Sequence, residues 1–263
     1  MSEDAATDRT IVLTVAYDGS RFSGFARQPG MATVQGDLER AISTAVRRDV
    51  EVTGAGRTDA GVHALGQVVS FGWEGETFDP VALQRSLNAL VGEGIVVTGI
   101  REAPLAFSAR HSAIGREYRY RIVPGPVPPL FLAPHAWWVK GTLDLSAMRD
   151  AGAALLGEHD FASFCVASSA EGQRTVRRLD LIEIDPESAM GEHSVVVRVI
   201  GNAFLHSMVR VVVGSLVEVG LGRRHASWMT GVLAACDRRA AGPTAPAHGL
   251  VLWHVMYPEE CWL

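Results

Sequence analysis

The chain has 263 residues, 48% hydrophobic and 20% charged, enough for one large or two ordinary domains with a real core. No apolar run approaches the roughly 20 residues a membrane helix needs, and the polar, acidic Met1–Arg9 is no signal peptide; it is expected to be a short disordered tail. The net charge of −5, taken alone, argues mildly against a nucleic-acid partner.

Ile11–Tyr17 is apolar and β-branched and predicts a buried strand. Thr33 has the character of an N-cap, and Val34, Leu38, Ile42 and Val46 follow at spacings of four, one face of a helix ending near Arg48. Val50–Thr53 and Val68–Trp73 read as strands on either side of a glycine-rich loop. Asp79-Pro80 is an N-cap with proline at N1, opening a helix to about Val91. Gly92–Gly94 stop it, and Ile95–Ile100 is a strand. The order β-α-β-β-α-β is that of a ferredoxin-like unit. The second half repeats it. Tyr118–Val123 is a strand, the proline-rich Pro124–Pro134 a loop, and Leu145–Leu156 a helix. Val176–Ile184 and Ser194–Ile200 are strands, Leu205–Val219 is a long apolar helix, Ser227–Arg238 a further helix, and Leu250–Met256 a closing strand.

The expected fold is therefore α+β: two tandem ferredoxin-like halves, their sheets joined along an edge, with a cleft where the halves meet. The boundaries are a tail over residues 1–9, a first half over 10–106 and a second over 107–263. The three cysteines, Cys165, Cys236 and Cys261, form no Cys-x-x-Cys pair, which suits a reducing cytoplasm; no Cys/His spacing fits a structural zinc site. Positive charge is almost entirely guanidinium, since Lys140 is the one lysine. Arginines cluster at Arg21–Arg48, Arg110–Arg121 and Arg174–Arg178, and guanidinium suits bidentate phosphate contacts.

The loop between the second and third strands reads Gly54-Ala55-Gly56-Arg57-Thr58-Asp59-Ala60-Gly61-Val62-His63-Ala64. A two-residue turn would join the strands, so a long loop here points to function. Its glycines permit positive φ and close approach of another chain, but their spacing is not that of a phosphate-binding Walker loop. On the loop alone, Asp59 is more readily a turn former than a catalyst.

The whole string resembles the signature of the tRNA pseudouridine synthase A family. So do Tyr17-Asp18-Gly19-Ser20 with Gly24-Phe25 and Arg27-Gln28, Phe107-Ser108-Ala109-Arg110 leading into Arg116-Glu117-Tyr118-Arg119-Tyr120, His159–Phe164, Asn202–Arg210 and Ala247-His248-Gly249-Leu250. These motifs stand in the family's order from about residue 11 to 257. Gly24-Phe25-Ala26 departs from the usual Gly-Trp-Gln, which puts a packing or RNA contact there in question, and the loop at Pro124–Pro134 looks shortened.

The resemblance implies the pseudouridine synthase fold, with an RNA-binding central cleft. It implies isomerisation of uridine at tRNA positions 38, 39 and 40 in the anticodon stem-loop, by a cytoplasmic homodimer. No cofactor or metal is implied, because the reaction neither oxidises its substrate nor removes a group. It makes Asp59 the catalytic carboxylate, Tyr118 the ring that stacks on the target base, Arg210 a basic group near the aspartate, and Arg57 an aid in extruding the nucleotide. The residues themselves leave alternatives open. Tyr118 fits a core ring. Arg210 lies in the apolar run Met208–Val213, either buried against a carboxylate such as Asp59 or on an exposed helix face. Arg57 serves equally as a loop brace. His63, His206 and His248 take no catalytic role. Rival functions are the same chemistry on another RNA, a non-catalytic tRNA binder, and a nucleoside hydrolase releasing uracil.

Overall fold

The computed structural model describes residues 9–73, 79–166, 172 and 174–262. The expected tail lies outside the described residues apart from Arg9, which opens the first strand. The chain is an α+β protein with two compact units: one runs to Ile114 and includes Leu252 onward, and the other spans Gly115–Val251.

In the first unit, β1 (Arg9–Tyr17) turns Ile11, Leu13 and Val15 into the core, none with measurable exposure. β-branched residues fit a pleated, half-buried surface of this kind. Helix α1 (Val34–Val46) begins where Thr33 Oγ1 accepts the Gly36 amide, and it ends on Arg47 in the left-handed region. Its Leu38 and Ile42 are fully buried, each contributing about 1.5–3 kcal/mol through burial. A two-residue β2 (Thr53–Gly54) pairs with β3 (His63–Trp73) at Ser70 and Val69. Helix α2 (Pro80–Leu90) is capped by Asp79 Oδ1, which accepts the Val81 and Ala82 amides, and β4 (Ile95–Pro104) follows. Strand β1 lies between β3 and β4, antiparallel to both. The order β4-β1-β3-β2 is that of a ferredoxin-like unit, as the element order predicts.

The second unit holds β5 (Gly115–Pro124), β6 (Trp137–Val139), α3 (Leu145–Ala153), β7 (Gly157–Asp160), β8 (Val176–Ala189), β9 (Glu192–Gly201), α4 (Met208–Gly220) and α5 (Trp228–Ala235). The order β5-β9-β8 repeats that of β1-β3-β2, with β7 added beyond β8 and β6 parallel to the end of β5. The last strand, β10 (Leu250–Met256), straddles the division; from Leu252 it belongs to the first unit, where it lies beside β3.

Eleven of the thirteen residues of α4 are buried, as expected of a helix that is apolar nearly all round. The segment Gly242–Ala245 runs along it as a strap. Gly242 N–H donates to Ser215 Oγ at 2.9 Å, and Ala245 N–H donates to the Arg210 carbonyl at 3.1 Å. Between them, a Cβ on Gly214 would fall 1.8 Å from the Pro243 carbonyl oxygen. On β5, buried Glu117 accepts from Arg119 Nε at 2.8 Å and from Arg198 Nε at 2.9 Å. Burial opposes its ionisation, but the hydrogen bonds from Arg198 and Arg119 outweigh that and hold the carboxyl below its ordinary range.

Among the described residues no helix is long and apolar enough to cross a membrane, and no group of three His, Cys, Asp or Glu side chains is placed to hold a metal ion.

Two stability outcomes follow from these contacts. Gly214→Ala improves helix propensity by about 1 kcal/mol in an open helix. Here the strap blocks the added methyl, so chemical denaturation should show a net loss of about 1–3 kcal/mol. Glu117→Gln should cost about 1–3 kcal/mol at pH 7. A carboxyl whose pKa is depressed on folding stabilises above its unfolded value and loses that stabilisation as pH falls through the folded one. Denaturation midpoints of parent and variant should therefore converge as pH falls below about 4.

Candidate active site

The chain leaving β1 turns at once. Asp18 Oδ1 accepts Ser20 N–H at 3.0 Å and the Ser20 hydroxyl at 2.7 Å, closing a short 3₁₀ turn over Gly19–Arg21. That turn lies against the glycine-rich loop between β2 and β3. A Cβ on Gly19 would fall 2.0 Å from the Val62 carbonyl oxygen, so only glycine fits. Buried His63 accepts the Gly19 N–H at Nδ1, 3.2 Å away. The same Nδ1 lies 3.1 Å from Asp18 Oδ1, so this histidine ties both residues of the turn to the loop and acts as a brace.

A second contact comes from Gly24-Phe25. Phe25 N–H donates to the Thr58 carbonyl at 3.1 Å, and the Phe25 carbonyl accepts Gln35 N–H at 2.9 Å. The Phe25 ring is buried and fills the space over Gly54, where a Cβ would fall 2.4 Å from it. Position 25 is therefore a packing position in this chain.

Asp59 is half-buried between these anchors. On its N-terminal side, the Thr58 backbone is held by Phe25 and the Thr58 hydroxyl lies 2.8 Å from the Tyr17 hydroxyl. On its C-terminal side, its own carbonyl accepts Val62 N–H at 3.1 Å across a turn with Gly61 at φ 78°. Arg57 is exposed on the same loop. The backbone of Asp59 is thus fixed from both directions while the residue stays partly exposed.

Tyr118 and Arg210 belong to the second unit. Tyr118 lies on β5 opposite Val199, 8% exposed, with Phe204 edge-on to its ring at 5.1 Å and 82°. The loop carrying Phe204 is tied down by Asn202: its Oδ1 accepts Arg178 N–H at 3.0 Å and Ala203 N–H at 2.7 Å, and its carbonyl accepts from Arg116 at 2.7 Å. Arg210, in the first turn of α4, is half-buried and donates from Nε to the Ala245 carbonyl at 2.8 Å. Its charge acts on buried Tyr120, whose pKa is raised by burial and whose hydroxyl donates to the Pro246 carbonyl at 2.8 Å. Gly249 leaves room for the Tyr120 ring, which a Cβ would meet at 2.6 Å, and His248 Nε2 lies 3.1 Å from the Ala136 carbonyl. The Ala247–Leu250 motif is thus packed around Tyr120. His206 is exposed.

Three partners escaped the sequence reading. Phe204 and the strap residue Ala245 stand far along the chain from Tyr118 and Arg210. Gln67 stands directly after the loop motif in Leu65-Gly66-Gln67, where a polar residue interrupting an apolar strand was an available signal.

The family described as tRNA pseudouridine synthase matches residues 13–111 and 151–258. The tRNA pseudouridine synthase A of Brevibacillus brevis is 43% identical over 248 residues, 92% of this chain and 97% of that one. The protein of the same name from Thermus thermophilus is 43% identical over 256 residues, 96% of this chain and 98% of its own. That from Geobacillus kaustophilus is 42% identical, covering 94% of each.

The Gly19–Val62 contact makes a direct test of the loop's anchoring. Gly19→Ala should cost about 1–3 kcal/mol through overpacking, with faster hydrogen exchange concentrated at residues 55–63.

Proposed function

The chain belongs to the tRNA pseudouridine synthase family and isomerises uridine to pseudouridine in tRNA; we propose that it acts at positions 38, 39 and 40 of the anticodon stem-loop, with Asp59 as nucleophile. The observation that carries the reading is the loop itself: a half-buried carboxylate whose backbone is fixed from both sides. Fixing a reacting group before the substrate arrives removes orientation entropy from the barrier.

The reaction breaks the N1–C1′ bond, turns the base and forms C5–C1′, so atoms and electrons balance within the nucleotide. Ionised Asp59 either attacks C1′ or stabilises the cationic sugar on the way to a glycal. Tyr118 stacks on the detached base, its ring angle set by Phe204. Arg210 serves as the basic partner of the aspartate, with its Nε tied to Ala245. A uridine in a stem must leave its stack to be reached, and exposed Arg57 suits filling the vacated space. The protein acts in the cytoplasm as a homodimer, each tRNA spanning both subunits. Its arginine-rich surface suits recognition of an RNA by shape and phosphate.

The test is incubation with an unmodified tRNA transcript, followed by mapping of pseudouridine. Product at 38–40 is expected; its absence there overturns the position assignment, and free uracil would indicate a hydrolase. Asp59→Asn should lower kcat by about a thousandfold or more while tRNA binding changes little. Appreciable turnover removes Asp59 from its role.

A further inference from the structure

The loop that carries Asp59 rests on a buried chain of hydrogen bonds to which the reaction assigns no part. Gln67, on β3, has no measurable exposure. Its Nε2 donates to the Gly56 carbonyl at 2.9 Å and lies 3.4 Å from the Tyr17 hydroxyl oxygen. Tyr17, at the end of β1 and 4% exposed, stands 2.8 Å from Thr58 Oγ1. Chemistry orients the chain. An amide nitrogen only donates, so the Tyr17 oxygen accepts from Gln67, while the Tyr17 and Thr58 hydroxyls, each donor and acceptor, share the bond between them. Burial pushes the phenol up to about 12, so the Tyr17 proton stays in place across the neutral range.

Three buried polar side chains are not what a sheet interior needs for stability. Phe, Leu and Val would fill similar space without desolvating a hydroxyl or an amide. The strands are already joined by their own ladders. What the chain does hold is the loop. Gly56 is gripped by Gln67 and Thr58 by Tyr17, one on each side of Arg57, and Thr58 is the residue bonded to Asp59. The remaining anchors, Phe25 on the Thr58 carbonyl and Val62 on the Asp59 carbonyl, fix the backbone; Tyr17 and Gln67 fix the direction from which the chain enters Asp59.

We propose that Tyr17 and Gln67 are positioning residues for the isomerisation, setting Asp59 against the reacting sugar through Thr58 and Gly56. The inference rests on Asp59 being the nucleophile. A carboxylate displaced by a fraction of an ångström still binds the same tRNA but meets C1′ poorly, so the loss falls on kcat.

Tyr17→Phe and Thr58→Val each remove one end of the Tyr17–Thr58 hydrogen bond while keeping shape, and Tyr17→Phe also removes the acceptor of Gln67 Nε2. Turnover, tRNA affinity and Tm are measured on both, on the double variant, on Thr58→Ser and on Asp59→Asn. Each single variant should lose about 10- to 100-fold in kcat, with KM and tRNA affinity within about threefold of the parent. The double variant should be no slower than the slower single one, because both act through one bond. Thr58→Ser, which restores the hydroxyl, should return kcat to within about threefold. The proposal falls if Tyr17→Phe and Thr58→Val keep parental kcat, if their effects multiply, or if the loss lies in KM. It falls equally if the loss at each temperature matches the fraction unfolded. Turnover by Asp59→Asn would instead overturn the nucleophile assignment. An inactive Asp59→Asn beside a fully active Tyr17→Phe sinks the positioning role alone.

Discussion

The close approach of two backbone segments, Gly19 against Val62 and Gly24 against Thr58, is the constraint on which the candidate site depends. A loop of eight residues between β2 and β3 makes too few internal hydrogen bonds to hold one shape, so its shape must come from outside. The segment Asp18–Phe25 supplies it, and it can do so only because no Cβ stands between the chains. His63, Phe25 and Tyr17 then add directional bonds to a contact that sterics alone would leave loose. The opening motif and the loop motif are therefore one structural object, although some thirty residues of sequence separate them.

The second unit solves a related problem differently. Helix α4 is buried nearly all round, yet Arg210 in its first turn must be charged. The strap Gly242–Ala245 meets this by presenting backbone groups: the Ala245 carbonyl takes the Arg210 Nε, and the Ala245 amide satisfies the Arg210 carbonyl. A half-buried guanidinium with a fixed carbonyl partner loses freedom of the side chain without losing charge. Tyr120, sealed by Gly249 and bonded to Pro246, completes the packing behind it. To the two alternatives open in the sequence, a buried ion pair or an exposed helix face, the structure adds a backbone carbonyl that Arg210 engages.

Local patterns made most elements legible. Thr33 and Asp79 cap α1 and α2, because a short side-chain oxygen reaching the next turn's amides is a matter of adjacent residues. Element ends were less readable. α4 starts at Met208, three residues after Leu205, with Ser207 at φ 59°, and α5 stops at Ala235 because Cys236 is left-handed at φ 45°. Neither Ser nor Cys announces such a conformation. Strand β3 begins at His63, five residues before its apolar run, because pairing with β1 carries it through Ala64 and Gln67. The short β6 and β7 exist only as partners of β5 and β8.

By itself the sequence determined the order of the main elements, the two ferredoxin-like repeats and the loop with Asp59, since each is written in neighbouring residues or in a motif that survives as a string. Tertiary structure alone decided that Gly19 must be glycine, that Phe25 is a packing residue, that His63 braces a turn, and that Phe204 and Ala245 serve Tyr118 and Arg210. Those facts arise where segments distant along the chain approach within a hydrogen bond or a missing methyl group. No local pattern encodes a partner that only folding brings near.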